Sequence, residues 1–244
     1  MEKAVSTNQL TKKFGSFIAT NAITFDVAQG EIFGFLGANG AGKTTAMRML
    51  CGLLKPSSGQ ASVAGFDVYR QSEKIKQNIG YMSQRFSLYE DLTVRENIRF
   101  YGGIYGLCRA DIPVKTDQIL QKLGIETVAD SLVASLPLGW KQKLAFSVAL
   151  IHEPKIVFLD EPTGGVDPIT RRQFWNLIYE AAHHGTTVFV TTHYMDEAEY
   201  CNRVSIMVDG KMKALDTPAG LKTAYGVDSM DAVFQILARG TSTK

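Results

Sequence analysis

Residues 37–44 read GANGAGKT: a glycine, four residues, a second glycine, a lysine and a threonine. The stretch lies between a short apolar run, EIFGFL at 31–36, and a segment whose Ala46, Met49, Leu50 and Leu53 recur at helical spacing, with Gly52 near its end. A strand, a glycine-rich loop and a helix in this order constrain the fold more than any other feature of the chain. The glycines let successive backbone N–H groups turn inward around an anion, and the helix N-terminus adds positive potential. Gly37, Ala38, Asn39, Gly40, Ala41 and Gly42 would form that cradle. Lys43 would reach the β- and γ-phosphates as a point charge, Thr44 would give its hydroxyl to Mg²⁺, and Thr45 is placed for the α-phosphate. The pattern in this context predicts binding of a nucleoside triphosphate.

Magnesium-dependent phosphate chemistry also needs a carboxylate at the end of a neighbouring strand, because open parallel sheets bind ligands at the carboxyl ends of their strands. IVFL at 156–159 reads as a buried strand, and Asp160 and Glu161 follow it directly. Asp160 would hold Mg²⁺ through water, and Glu161 would orient or deprotonate the attacking water. Alone, the pair leaves surface acids at a strand exit as the lesser alternative, and beside the phosphate loop the catalytic reading prevails. Of the four histidines, His183 and His184 precede Gly185, where a cation suits a helix C-terminus. His152 falls in a turn before Glu153–Pro154 and is expected to be exposed. His193 ends the strand-like TTVFVTT on the same expected sheet edge as Asp160 and Glu161, within reach of a γ-phosphate.

Along the chain, segments up to residue 34 alternate as strands with a turn at Gln29–Gly30, and residues 86–150 are helix-leaning, as in VRENIRFYGGIYGL and KTDQILQKLGI. From residue 155 strands and helices alternate again. RRQFWNLIYEAAHHG is a helix with Phe174, Leu177, Ile178 and Ala181 as its apolar face, and RVSIMVDGKMKAL is a hairpin turning at Asp209–Gly210. The expected organisation is a single unit over 1–244, with a core and β subdomain at 1–85, a helical insertion at 86–150, the rest of the core at 151–220 and a tail at 221–244. Lys plus Arg number 26 against 24 Asp plus Glu, a net charge of +2 that offers no electrostatic case for a nucleic-acid partner. Three scattered cysteines, Cys51, Cys108 and Cys201, suit packing thiols in a reducing compartment. The N-terminus lacks the apolar stretch of a secretory signal, and no apolar run approaches the ~18 residues of a membrane span.

Taken in order, GANGAGKTT at 37–45, GYMSQ at 80–84, IHEP at 151–154, IVFLDEPTGGVDP at 156–168 and TTHYMDEAE at 191–199 resemble the ATP-binding subunit of an ABC transporter. The resemblance runs from about residue 10 to about residue 221. It implies an α/β fold: a P-loop NTPase (RecA-like) core with a mainly parallel sheet, an N-terminal antiparallel β subdomain and an inserted helical subdomain. It also implies ATP and Mg²⁺ as ligands, head-to-tail pairing with a second ATP-binding subunit, and a transmembrane permease that keeps the chain at the cytoplasmic face of the membrane. By position, Phe14 would stack on adenine and Gln84 would touch Mg²⁺ or water and sense the permease. Asp167 would lie in the loop joining two sites, and Glu161 and His193 would be the catalytic pair. Residues 86–107 resemble the segment that receives the permease, and DSMDAVFQIL resembles the tail of exporters of drugs and antibiotics.

One stretch departs from the family pattern. The usual signature, Leu-Ser-Gly-Gly-Gln, falls on Leu136, Pro137, Leu138, Gly139 and Trp140, of which only Leu136 and Gly139 agree. Pro137 removes a hydroxyl and a backbone N–H that could face a γ-phosphate across the pair. Gly139 and the N-terminus of the following helix still offer amides. Within SLPLGWKQKLAF, Leu144 and Ala145 begin a buried helix face, continued by Val148 and Ala149, while Lys141 and Lys143 are expected on a solvated one.

Overall fold

The computed structural model describes residues 2–84 and 88–239. Phe86 and Ser87, at the start of the segment expected to receive a permease, lie outside them, as do residues 240–244 of the tail. The chain opens with two long strands, β1 (Lys3–Phe14) and β2 (Phe17–Ala28), and the short β3 (Ile32–Leu36), which runs into the phosphate loop and α1 (Lys43–Leu50). Then come β4 (Ser58–Val63), β5 (Phe66–Asp67), α2 (Ser72–Asn78) and β6 (Ile79–Met82). Three helices form the insertion, α3 (Val94–Ile104), α4 (Asp111–Leu123) and α5 (Leu138–Ala149). The alternation resumes with β7 (Ile156–Asp160), α6 (Pro168–His183) and β8 (Thr187–Thr192), and closes with β9 (Arg203–Val208), β10 (Lys211–Asp216), α7 (Pro218–Tyr225) and α8 (Met230–Arg239).

The strands make two sheets: an antiparallel one in the order β2-β1-β4-β5, and a larger one in the order β10-β9-β3-β8-β7-β6. In the larger sheet only the β9–β10 pair is antiparallel. Strands β3 and β7 are buried on both faces, which is why IFGFL and IVFL read as unbroken apolar runs. Ile32 and Leu36 face one core with Val157, Leu159 and the buried side of α5 and α6. Phe33, Phe35, Phe158 and Phe189 face the other, where they meet Phe25 of the antiparallel sheet at ring-centroid distances of 5.5, 5.6 and 6.1 Å for Phe33, Phe35 and Phe189. Ring pairs at such spacing add to the burial that joins the two sheets.

Local signals end the elements where the chain needs them to end. Thr93 and Glu96 form a reciprocal capping box at the start of α3, and Gly124 closes α4 in the left-handed conformation at φ 65°. Asp209 and Gly210, at φ 50° and 74°, form the β9–β10 turn. That turn also braces the phosphate loop: Gly210 N–H donates to Ala41 O (3.1 Å), while Gly210 O accepts from Asn21 N (2.7 Å).

Four expectations need correction. Helix α1 stops at Leu50, which leaves Leu53 outside it and exposed. On α6 it is Trp175 that is fully buried, whereas Leu177 is only partly covered. His152 is not a surface residue, because its ring stacks on Tyr105 at 4.0 Å and its Nε2 bonds Ile79 O at 3.1 Å. Lys141 and Lys143 are half-buried rather than solvated, with Lys141 paired to Glu90 (2.8 Å) and Lys143 donating to Gln173 Oε1 (2.7 Å).

Candidate nucleotide site

The loop at 37–42 is held open by backbone that only glycine adopts freely. Gly42 has φ 99°, and a Cβ there would meet Ala19 O at 2.2 Å. The first-turn N–H groups of α1 have no helical acceptor and face the loop with the positive end of the helix. Lys43 is buried, and its Nζ donates to Gly37 O (2.7 Å) and Ala38 O (3.2 Å). The ammonium thus lies across the mouth of the loop and sits 3.3 Å from Glu161 Oε1.

Parallel pairing of β7 with β8 sets Asp160 opposite Thr191. Thr191 Oγ1 donates to Asp160 Oδ1 at 2.6 Å, and Thr44 Oγ1 donates to the same oxygen at 3.2 Å. Burial pushes the Asp160 carboxyl up from the usual carboxylate range, and these two hydroxyls oppose the shift. The hydroxyl of Thr44 and the carboxylate of Asp160 are hard oxygen donors of the kind Mg²⁺ prefers, so the residues present fit that ion.

Glu161 has φ 49°, a left-handed backbone that is costly for a side-chain-bearing residue. Its N–H is pinned by Thr191, to both O and Oγ1 at 3.1 Å. The turn aims the carboxylate back over the sheet edge, where Oε2 accepts from Gln84 Nε2 and from His193 Nδ1, each at 2.9 Å. Lys43 from the start of α1, and Gln84, Glu161 and His193 from just beyond the ends of β6, β7 and β8, therefore converge. Glu161 and Gln84 also line both cavities here, an open groove over the phosphate loop and a pocket bounded by Gly164, Gln142 and His193.

Phe14 and Phe17 face each other across the β1–β2 turn, and both are largely exposed. Phe17 lines the groove over the phosphate loop, while Phe14 carries the Lys12 ammonium 5.1 Å from its ring centre. Both rings flank the same two-residue turn, so their order in the sequence does not separate them.

The turn at 136–140 makes its contacts with α6 and the loop that leaves Glu161. Leu136 is buried, Pro137 takes the N-cap position of α5, and Leu138 approaches Gly165. A Cβ on Gly139 would stand 2.4 Å from Thr170 Cγ2. Trp140 is half-buried beneath the Lys143 ammonium at 5.5 Å. Gln142, which the sequence alone did not single out, donates to Gly164 O at 3.0 Å. Asp167 caps α6, accepting from the N–H groups of Ile169 (2.9 Å) and Thr170 (3.0 Å), and the Thr170 hydroxyl and amide hold its carboxyl below the usual range. Neither Asp167 nor residues 136–140 join the cluster around Glu161.

A family model described as "ABC transporter" matches residues 20–164, more than half of the chain. The chain is 51% identical over 227 residues to the probable multidrug ABC transporter ATP-binding protein YbhF of Escherichia coli (strain K12). That match covers 93% of this chain and 39% of the relative, so the chain spans well under half of that protein's length. It is 34% identical to the linearmycin resistance ATP-binding protein LnrL of Bacillus subtilis (strain 168), covering 91% of this chain and 71% of that one. Among solved structures, one described as the ATP binding subunit of an ABC transporter superposes with a TM-score of 0.85 at 27% identity, covering 96% of this chain and 99% of the other. The chain belongs to the ABC transporter family.

Proposed function

We propose that the chain binds ATP with Mg²⁺ and hydrolyses it, as the ATP-binding subunit that drives a membrane transporter, an exporter of drug-like molecules. The observation that carries this reading is the carboxylate of Glu161, held on a strained turn by Lys43, Gln84 and His193 directly after Asp160. Lys43 and the first-turn amides of α1 take the phosphates, and a groove-lining aromatic, Phe14 or Phe17, takes the base. Bound Mg²⁺, held by Thr44 and through water by Asp160 and Gln84, would neutralise charge on the phosphates. Glu161 then accepts the proton of the attacking water, and His193 holds that carboxylate through Nδ1.

No helix among the described residues is long and apolar enough to cross a membrane, and a transmembrane permease would carry the substrate. A second ATP-binding subunit would pair head to tail with this one, placing its phosphate loop against residues 136–140 and Asp167. The names of the relatives support the exporter reading, and the permease contact is expected near Gln84 and at residues 86–107. The test is ATP turnover of the chain assembled with its permease in vesicles. Glu161→Gln keeps the size of the side chain and removes the base. Turnover is expected to fall by at least ~100-fold with ATP still bound; unchanged turnover would overturn the assignment.

A further inference from the structure

Glu197 lies in the 3₁₀ turn Met195–Tyr200 after β8 and is fully withdrawn from solvent. The chemistry proposed above makes no use of it. Burying a carboxylate is costly unless it is paired and hydrogen-bonded, so its partners show what it is for. Oε1 accepts from the buried hydroxyl of Thr163, in the loop leaving Glu161, and lies 3.6 Å from Arg171 Nε on α6. Arg171 also reaches Asp196 Oδ2 at 3.4 Å, and its guanidinium lies over the Tyr194 ring, 4.1 Å from the centre. The Tyr194 ring packs against His193 at 4.2 Å, and His193 Nδ1 donates to Glu161. With the chain itself joining Glu161 to Thr163, the contacts close a ring through Glu197, Arg171, Tyr194 and His193 back to Glu161.

We propose that Glu197 and Arg171 are positioning residues for ATP hydrolysis, locking the loop after Glu161 to the turn after His193 so that carboxylate and imidazole keep their relative geometry. The proposal rests on the reading that Glu161 and His193 act on ATP. A buried ion pair is often no more stabilising than well-packed apolar residues of the same volume, so stability alone gives little reason to place one here. Its location gives a better one. One arm of the ring meets the chain at Thr163, two residues beyond Glu161, and the other at Tyr194, next to His193. Neither Arg171 Nε nor Glu197 Oε2 has a hydrogen-bond partner among the described residues, so charge and packing hold the pair rather than a saturated hydrogen-bond set.

The experiment compares variants of the chain assembled with its permease, recording kcat and KM for ATP beside the melting temperature. Glu197→Gln keeps the shape and an acceptor for Thr163 but removes the charge facing Arg171. The half-buried Tyr194→Leu leaves the pair intact and removes the ring between Arg171 and His193, so it reports even where the buried variant folds poorly. Both are expected to lower kcat about tenfold with KM within about twofold, the pattern of a lost transition-state arrangement. Arg171→Lys should recover part of what Arg171→Gln loses. Full kcat in folded Tyr194→Leu and Arg171→Gln would overturn the proposal, as would losses that only follow the melting temperature. Wild-type turnover that survives Glu161→Gln would instead defeat the hydrolysis reading, so the two failures are distinguishable.

Discussion

His152 shows how one half-buried side chain can set a pH limit on a protein whose formal charge is nearly balanced. Burial against Tyr105 pushes its imidazole below the ordinary pKa, and the bond from Nε2 to Ile79 O opposes that shift. With the proton on Nε2, Nδ1 is buried with no hydrogen-bond partner among the described residues, so a second proton there would have nothing to bind. The unfolded chain takes up that proton near pH ~6.5, while the native state resists it to lower pH. The unfolded state therefore binds more protons as pH falls, and the stability present above about 6.5 is progressively lost below it. His152→Gln keeps a donor within reach of Ile79 O and does not titrate. Its unfolding free energy, followed by denaturant titration, should fall less steeply than wild type between pH ~6.5 and ~5; parallel slopes would show that His152 does not carry the effect.

Among the elements, α3 depends most visibly on its first residues. The Thr93 side chain accepts from Glu96 N at 3.2 Å, and Glu96 Oε2 in turn accepts from Thr93 N at 2.8 Å. The next two amides, of Val94 and Arg95, donate to Ser131 O and Ala129 O, which ties the helix start to the segment before α5. Thr93→Ala should cost about 1 kcal/mol of unfolding free energy by denaturant titration, with exchange protection lost first at the α3 N-terminus. The elements themselves were legible in the sequence, because an apolar run or a 3.6-residue period is a local property, and so was the phosphate loop, whose residues are contiguous. The acids at 160–161 and the histidine at 193 could be placed on one sheet edge because parallel strands put their carboxyl ends together. What stayed hidden depends on pairing across the chain. Thr191 meets Asp160 only through the β7–β8 register, Gln142 reaches Gly164 only once α5 lies on the loop after Glu161, and Thr163 and Glu197 are 34 residues apart. The covering of His152 and of Trp175 is hidden for the same reason, since it comes from Ile79 and Tyr105 in one case and involves Tyr200 in the other.

For the whole molecule, the decisive geometry is the mounting of the turn at 136–140 on the loop that leaves Glu161. Gln142 holds Gly164, Gly139 fits against Thr170 with no room for a Cβ, and Leu138 packs toward Gly165. These contacts fix the start of α5 to the loop after Glu161, and Leu138 there and Ile169 at the start of α6 are both exposed. If the face bearing them closes on the partner's ATP, Pro137 offers it neither hydroxyl nor amide, and a partner carrying serine at this position would clamp this chain's own ATP more firmly than this chain clamps the partner's. The comparison is best made in the Glu161→Gln background, where bound ATP is not consumed. Pro137→Ser is expected to tighten the ATP-dependent dimer of two such chains, measured by analytical ultracentrifugation, by about a hundredfold to ten-thousandfold, the equivalent of about 1.5–3 kcal/mol for each of the two charge-assisted hydrogen bonds gained. Serine at an N-cap also favours α5 itself, so melting temperature without nucleotide is the control that separates helix stability from clamping. A dissociation constant unmoved by the substitution would mean that the turn meets no phosphate, and that the pairing of two such chains is held elsewhere on this face.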